Sequence, residues 1–339
     1  MSETAKPFVP QPTWVRRIVR AGIVVVLILA ASGYFYQNIS EARDRRFNPM
    51  PGELVNVGAT KMHIYCTGQG SPTVILDSGL GDSYASWRAV QPDIAKFTRV
   101  CSYDRSGLGY SDPSPRPRTS TVMAEELHTL LQAASITPPY VLVGHSMAGF
   151  NVRLFAGLYR SEVAGMVLVD ASHPDQENRF PPELKNMEGS WRREAEFLAY
   201  SMPFGLPRVL GLCDEEVVLR AADCNFHSAR EGFAEIKTFD QSASEAAAAG
   251  SLGGLPLAVL SHDPDKPSAD LPADLAKPTN QAWEKMQEEL AHLSTRGQQT
   301  VARNSSHYIQ LDRPDVVVEG VHEVFDQARA AGSAAPSKP

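Results

Sequence analysis

The passage that most constrains this chain is Tyr140–Gly149, YVLVGHSMAG. A continuous apolar run, Tyr140 to Val143, enters Gly144-His145-Ser146-Met147-Ala148-Gly149, and the apolar spacing then becomes helical. A strand that reverses into a helix over so few residues brings neighbouring backbones close together. Only small residues fit two positions before and two positions after Ser146. Gly144 meets the first condition. Ala148 stands where a second glycine is usual, a departure of one methyl, and Gly149 follows. The turn projects the Ser146 hydroxyl outward, and the helix starting at Met147 aims its positive end at it.

The surrounding pattern fits that unit. Candidate strands are Leu54–Val57, Met62–Cys66, Thr73–Asp77, Arg99–Tyr103, Tyr140–Val143, Ala164–Val169, Leu257–Ser261 and Gln299–Ala302. Several are unbroken Val/Ile/Leu runs, as strands buried on both faces require. Candidate helices at 84–95, 119–134, 147–158, 280–294 and 314–330 alternate with them. This order predicts an α/β fold, a mostly parallel sheet covered by helices on both faces. Between Ser172 and Gly254 the alternation stops. The stretch is helical by pattern, over Trp191–Tyr200, Asp214–Ala222 and Asn225–Ala249, and is too long for a plain loop. It reads as a helical lid over about 172–254.

A serine nucleophile needs a base. Among the histidines, His307 alone lies in a loop after the last strand, in NSSHYIQLDRP near the C-terminus. His145, next to Ser146, points elsewhere in such a turn and reads as structural. His63, His128 and His322 fall inside strand or helix patterns. An acid must then orient the imidazole and stabilise its protonated form. Asp170 ends the strand GMVLVD, and Asp263 and Asp265 follow PLAVLS. All three keep the chain order Ser…Asp…His. Two backbone N–H donors for an oxyanion are expected from Met147, which follows the nucleophile, and from Leu80 in Asp77-Ser78-Gly79-Leu80-Gly81.

Over residues 53–330 the chain resembles the α/β-hydrolase family, through DSGLGDS at 77–83, YDRSGLGYSD at 103–112, GHSMAG at 144–149, LVDASHPDQ after the sixth strand and NSSHYIQLDRP at 304–314. The resemblance implies an eight-stranded sheet with the lid inserted after strand six. It assigns Ser146 as nucleophile, His307 as base, and the N–H groups of Leu80 and Met147 as oxyanion donors. Most members place the acid in a G-x-x-D turn after strand seven. Here that text is Ser261-His262-Asp263-Pro264-Asp265, without the glycine and with Asp265 at the acid's offset. Other members place it at the end of strand six, which is Asp170. Asp170 is the favoured acid, followed by Asp265 and then Asp263. Ser78 stands where many relatives carry histidine, but the donor there is backbone. YDRSGLGYSD is a structural turn in the family and receives no catalytic role. A serine nucleophile argues against the aspartyl-ester chemistry of dehalogenases and epoxide hydrolases.

The resemblance also makes the second and fourth strands antiparallel neighbours, so that Cys66 and Cys101 can bridge. Cys213 and Cys224 lie eleven apart in the lid. Two such pairs suit an oxidising compartment, and four reduced thiols are the alternative.

The N-terminal region is a separate object. Residues 21–36 carry no charge, and the run from Ile18 to Tyr36, interrupted only by Arg20, would span about 28 Å as a helix, roughly a bilayer core. Tyr34, Phe35 and Tyr36 sit where an interfacial aromatic belt lies. Residues 1–17 are expected on the cytoplasmic side because Lys6, Arg16, Arg17 and Arg20 precede or open the run, although Arg43, Arg45 and Arg46 follow it. The expectation is a signal anchor at 18–36, a charged tether at 37–52, a hydrolase domain at 53–330 and a disordered tail at 331–339. The catalytic domain would then be extracytoplasmic, in the periplasm. A signal peptide cleaved near Ala30-Ala31-Ser32, giving a secreted enzyme, is the other reading.

A net charge of −7 gives no general drive toward nucleic acid. A mean hydropathy of −0.23 excludes a polytopic membrane protein. No metal or cofactor is implied. The sequence therefore reads as a carboxylesterase-like serine hydrolase acting on a small apolar acyl substrate. A tethered ligand sensor with little turnover, and a peptidase or C–C bond hydrolase, are the alternatives.

Overall fold

The computed structural model describes residues 13–266 and 271–333. Eight strands form one sheet: β1 (Glu53–Val57), β2 (Thr60–Thr67), β3 (Thr73–Asp77), β4 (Val100–Tyr103), β5 (Tyr140–His145), β6 (Val163–Val169), β7 (Leu257–His262) and β8 (Gly297–Ala302). Their order is β1-β2-β4-β3-β5-β6-β7-β8. β2 pairs antiparallel with β1 and β4, and every pairing from β4 to β8 is parallel. Numbering only helices of seven residues or more, the chain has α1 (Thr13–Phe47), α2 (Ser120–Ala133), α3 (Ala148–Leu158), α4 (Pro182–Ser201), α5 (Val217–Asp223), α6 (Phe226–Lys237), α7 (Phe239–Ala248), α8 (Ala273–Ala291) and α9 (Pro314–Ser333).

The alternating directions of strand side chains divide the core into two layers. On one face Ile75, Leu142, Met166, Leu168 and Val259 pack with Leu127, Leu131, Val152, Phe155 and Leu290 from α2, α3 and α8. On the other Val74, Leu76, Val141, Val143, Val167 and Val169 pack with Trp87, Ile94, Val317, Val321 and Val324. Each fully buried Val, Leu or Ile contributes about 1.5–3 kcal/mol, so the central strands are the most firmly held part of the chain. Their C-terminal ends share one edge of the sheet, where open parallel sheets bind ligands.

The segment between β6 and β7 is helical and carries α4 to α7. The single helix expected over 225–249 is two, because α6 ends at Lys237, Thr238 caps both, and α7 begins at Phe239. Residues 84–95 are likewise not one helix but a 3₁₀ turn, Tyr84–Trp87, and a short helix, Gln91–Ile94, with Pro92 in its first turn. The expected tether is corrected most: α1 continues as helix to Phe47, because its C-terminal half packs on the lid. Of the expected tail, 331–333 belong to α9, and 334–339 lie outside the described residues, as do 1–12 of the expected cytoplasmic segment.

Candidate active site

β5 delivers Ser146 into the turn before α3 with φ +53°, in the left-handed region that costs a residue with a Cβ on the order of 1–3 kcal/mol. Three backbone bonds hold the strained residue: its N–H donates to the Val169 carbonyl at 3.1 Å, and its carbonyl accepts from the Ser172 N–H at 2.9 Å and the Gly149 N–H at 3.0 Å. The small neighbours are required. A Cβ on Gly144 would lie 2.7 Å from the Ala148 carbonyl oxygen, and one on Gly149 would lie 2.6 Å from the Ala171 Cβ. The close approach is therefore absorbed at Gly149, and Ala148, itself fully buried, is tolerated.

His307 reaches the turn from the loop after β8, with Nε2 3.0 Å from the Ser146 Oγ and Nδ1 2.6 Å from the Asp170 Oδ2. Asp170 follows β6 with φ +43°, which swings its carboxylate under the imidazole. That carboxylate is completely buried and accepts three further bonds. The His262 N–H donates to Oδ1 at 3.0 Å, the His262 Nδ1 lies 2.8 Å from Oδ2, and the Trp283 Nε1–H donates to Oδ1 at 2.8 Å. Burial pushes the Asp170 pKa up, but the bonds and charges of His262 and His307 outweigh it and hold the group well below the usual carboxylate range. An ionised carboxylate only accepts, so both imidazoles donate from Nδ1 and the Nε2 of His307 is free to accept the serine proton. For His262 burial lowers the pKa, and the bond and charge of Asp170 reverse that into a net rise.

Asp263 and Asp265 do not meet His307. Asp263 accepts from the Arg303 Nη1 at 3.0 Å and the Asn304 N–H at 2.8 Å, and the exposed Asp265 meets the same Arg303 Nη1 at 3.2 Å. His145 is buried, and its Nε2 donates to the His307 carbonyl at 3.0 Å. Burial, with the nearby His307, lowers its pKa to about 3, so it stays neutral. Among the described residues the N–H groups of Leu80 and Met147 donate to no protein acceptor. The loop carrying Leu80 is fixed by a fully buried guanidinium. Arg105 Nη1 donates to the Asp77 Oδ1 at 2.8 Å and the Ser78 carbonyl at 2.6 Å, Nη2 donates to the Gly79 carbonyl at 2.6 Å, and Nε donates to the Glu235 Oε1 of α6 at 2.7 Å. The Gly81 N–H donates to the other Glu235 oxygen at 2.8 Å. Arg105 thus ties sheet, loop and lid together.

The bridges Cys66–Cys101, across β2 and β4, and Cys213–Cys224, within the lid, are both formed. Arg105, Glu235, His262 and Trp283 carried no site role in the sequence reading. YDRSG did flag Arg105 as part of a motif, but its partner Glu235 lies 130 residues away.

A family model described as alpha/beta hydrolase fold matches residues 72–220. The uncharacterized protein YqjL of Bacillus subtilis is 27% identical over 270 residues, 79% of this chain and 88% of its own length. A thermophilic esterase from Thermogutta terrifontis superposes with a TM-score of 0.57 at 22% identity, over 81% of this chain and 98% of the esterase. A haloalkane dehalogenase variant from Bradyrhizobium elkanii superposes with a TM-score of 0.64 at 17% identity, over 83% of this chain and 98% of its own. What this chain shares with these structures is the fold.

Proposed function

We propose, from the premise that the chain is an α/β-hydrolase-fold protein, that it is a membrane-anchored serine hydrolase cleaving an ester or related acyl substrate. One observation carries the reading: Ser146 Oγ, His307 and the buried Asp170 form a continuous hydrogen-bonded chain with spacings of 3.0 and 2.6 Å. His307 takes the Ser146 proton as Oγ attacks the carbonyl carbon. Asp170 holds the Nδ1–H tautomer and stabilises the imidazolium that forms. The Leu80 and Met147 N–H groups receive the negative oxygen, and the N-terminus of α3 adds its dipole. His307 then returns the proton to the leaving alcohol. Water, deprotonated by the same imidazole, releases the acyl group from Ser146. Dehalogenase and epoxide-hydrolase chemistry would need a carboxylate where this chain has Ser146.

α1 supports the anchor. It contains an 18-residue window of mean hydropathy 2.2 with no part buried against the protein. The basic residues before the apolar run and the two disulfides support a catalytic domain outside the inner membrane, in the periplasm. In the full-length protein, Ser146→Ala is expected to abolish turnover of short p-nitrophenyl esters and labelling by a fluorophosphonate probe. Labelling retained in that variant would remove Ser146 from its role.

A further inference from the structure

The part of the lid that meets α1 explains what the lid faces. Gly33, near the C-terminal end of the apolar run, lies so close to the lid that a Cβ there would sit 2.2 Å from the Phe204 carbonyl oxygen. Gly205, with φ +68°, packs against Tyr36 in the same way. Below this contact the buried Gln37 side chain donates to the Cys224 carbonyl at 3.1 Å. The Arg208 guanidinium bonds the Gln37 Oε1 at 3.0 Å and the Asp44 Oδ2 at 2.6 Å, and Arg220 reaches the Asp44 Oδ1 at 3.2 Å. A buried arginine, amide and carboxylate tied in this way fix the lid rigidly to the helix end. The segment Met202–Leu212 therefore has a defined height relative to α1. Its Phe204 and Gly205 lie beside Gly33 and Tyr36, where the span ends.

That segment is apolar and bare. Phe204, Leu206, Val209, Leu210 and Leu212 are exposed, Val209 by 68% and Leu210 by 55%. Five large apolar side chains within nine residues, beside an equally bare apolar helix, make one continuous surface that water disfavours. Directly behind it is a cavity of about 260 Å³, lined by Leu198, Met202, Leu212 and Phe233 on the lid side and by Leu80 and Gly81 on the sheet side. Leu80 belongs to the loop proposed to receive the oxyanion.

We infer that Met202–Leu212 rests in the headgroup region of the leaflet where the apolar span of α1 ends, with Val209 and Leu210 dipping into it. The acyl substrate is then a membrane-partitioned amphiphile that enters through this face toward Ser146. The substrate assignment rests on the serine-hydrolase reading, whereas the bilayer contact does not. Geometry selects a bilayer as the occupant, because α1 carries the patch to the depth at which its own span ends.

The test uses the full-length chain reconstituted into phosphatidylcholine vesicles that contain a diazirine-acyl phosphatidylcholine. After illumination, lipid adducts are expected on peptides from 202–212 as well as on α1. Adducts confined to α1 overturn the inference, whether or not any ester is turned over. In a second arm the variant Val209→Asp/Leu210→Asp is compared with wild type on a long-chain ester dissolved in the vesicles and on water-soluble p-nitrophenyl acetate. The charged variant should lose about tenfold or more on the first and keep the second. Equal loss on both substrates would make the patch part of the lid's internal packing and overturn the entry route. If wild type turns over neither ester, the serine-hydrolase reading fails, and the lipid adducts still decide the bilayer contact.

Discussion

At the edge of the sheet, Ser146 and Asp170 follow β5 and β6, whose side chains are buried on both faces, so dozens of small apolar contacts share the load, and His307 follows β8, a partly exposed strand paired with the buried β7. The lid is held differently. Its helices keep large apolar groups such as Phe197, Tyr200 and Val209 exposed, and polar ties help to locate it, among them Glu235 on Arg105, Asp44 on Arg208 and Arg220, and Glu216 on Arg88. The first two ties are buried and the third is open to water. A surface held by burial resists single changes, whereas a surface held by a few buried charges moves when one is lost. The proposed chemistry, which needs placement to a fraction of an ångström, sits on the first kind of support. The part proposed to admit a substrate sits on the second.

The comparison can be broken most severely at the sheet edge. Asp170→Asn is expected to lower ester turnover by about 10³–10⁴-fold, because the amide can favour the wrong His307 tautomer. Its pair, Asp265→Asn, should stay within about twofold, since Asp265 is exposed and among the described residues is bonded only to Arg303 and to its own turn. A near-wild-type rate for Asp170→Asn, measured side by side, would move the acid elsewhere. On the lid, Glu235→Gln leaves Arg105 buried with one carboxylate partner fewer. The urea midpoint should fall by the equivalent of about 3 kcal/mol. An unchanged midpoint would show that the tie between lid and sheet is replaceable.

Acid sharpens the same contrast. The Asp170 pKa is depressed in the folded chain from an ordinary 3.8, so its contribution is fully present above that pH and is lost as pH falls toward the folded value. Stability followed by urea unfolding from pH 5 downward should therefore fall less steeply in Asp170→Asn than in wild type. Equal slopes would mean that the carboxylate titrates alike folded and unfolded. The smallest effect is expected from Trp283→Phe, which removes one of several donors to Asp170. It should cost about 1.5–3 kcal/mol in urea unfolding and leave fluorophosphonate labelling of Ser146 intact.

Legibility followed the range of the interaction. The central strands β3 to β7 were readable because burial on both faces writes apolar runs, and Ser146 was readable because its strained turn demands small residues within four positions. His307 could be picked out by its place after the last strand. The acid could not be decided by order, since Asp170, Asp263 and Asp265 all satisfy it. A positive φ at Asp170, and a turn that carries Asp263 toward Arg303 and Asn304, separate them, and neither is written locally. The tether was misread for a related reason. Residues 37–47 look like a charged linker, and they are helical because Gln37 and Asp44 find partners on a lid more than 160 residues away.

By itself the sequence determined a mostly parallel α/β sheet, a helical insertion, a serine at a strand-to-helix turn and an apolar N-terminal run, because each is enforced within one turn or one strand length. Tertiary structure alone decided which carboxylate the His307 imidazole bonds, that His262 and Trp283 bond the same group, that Arg105 joins sheet to lid, and that α1 is clamped to the lid. Those choices depend on charges and hydrogen bonds between residues far apart in the chain. Such bonds become strong only once folding has removed water from around them.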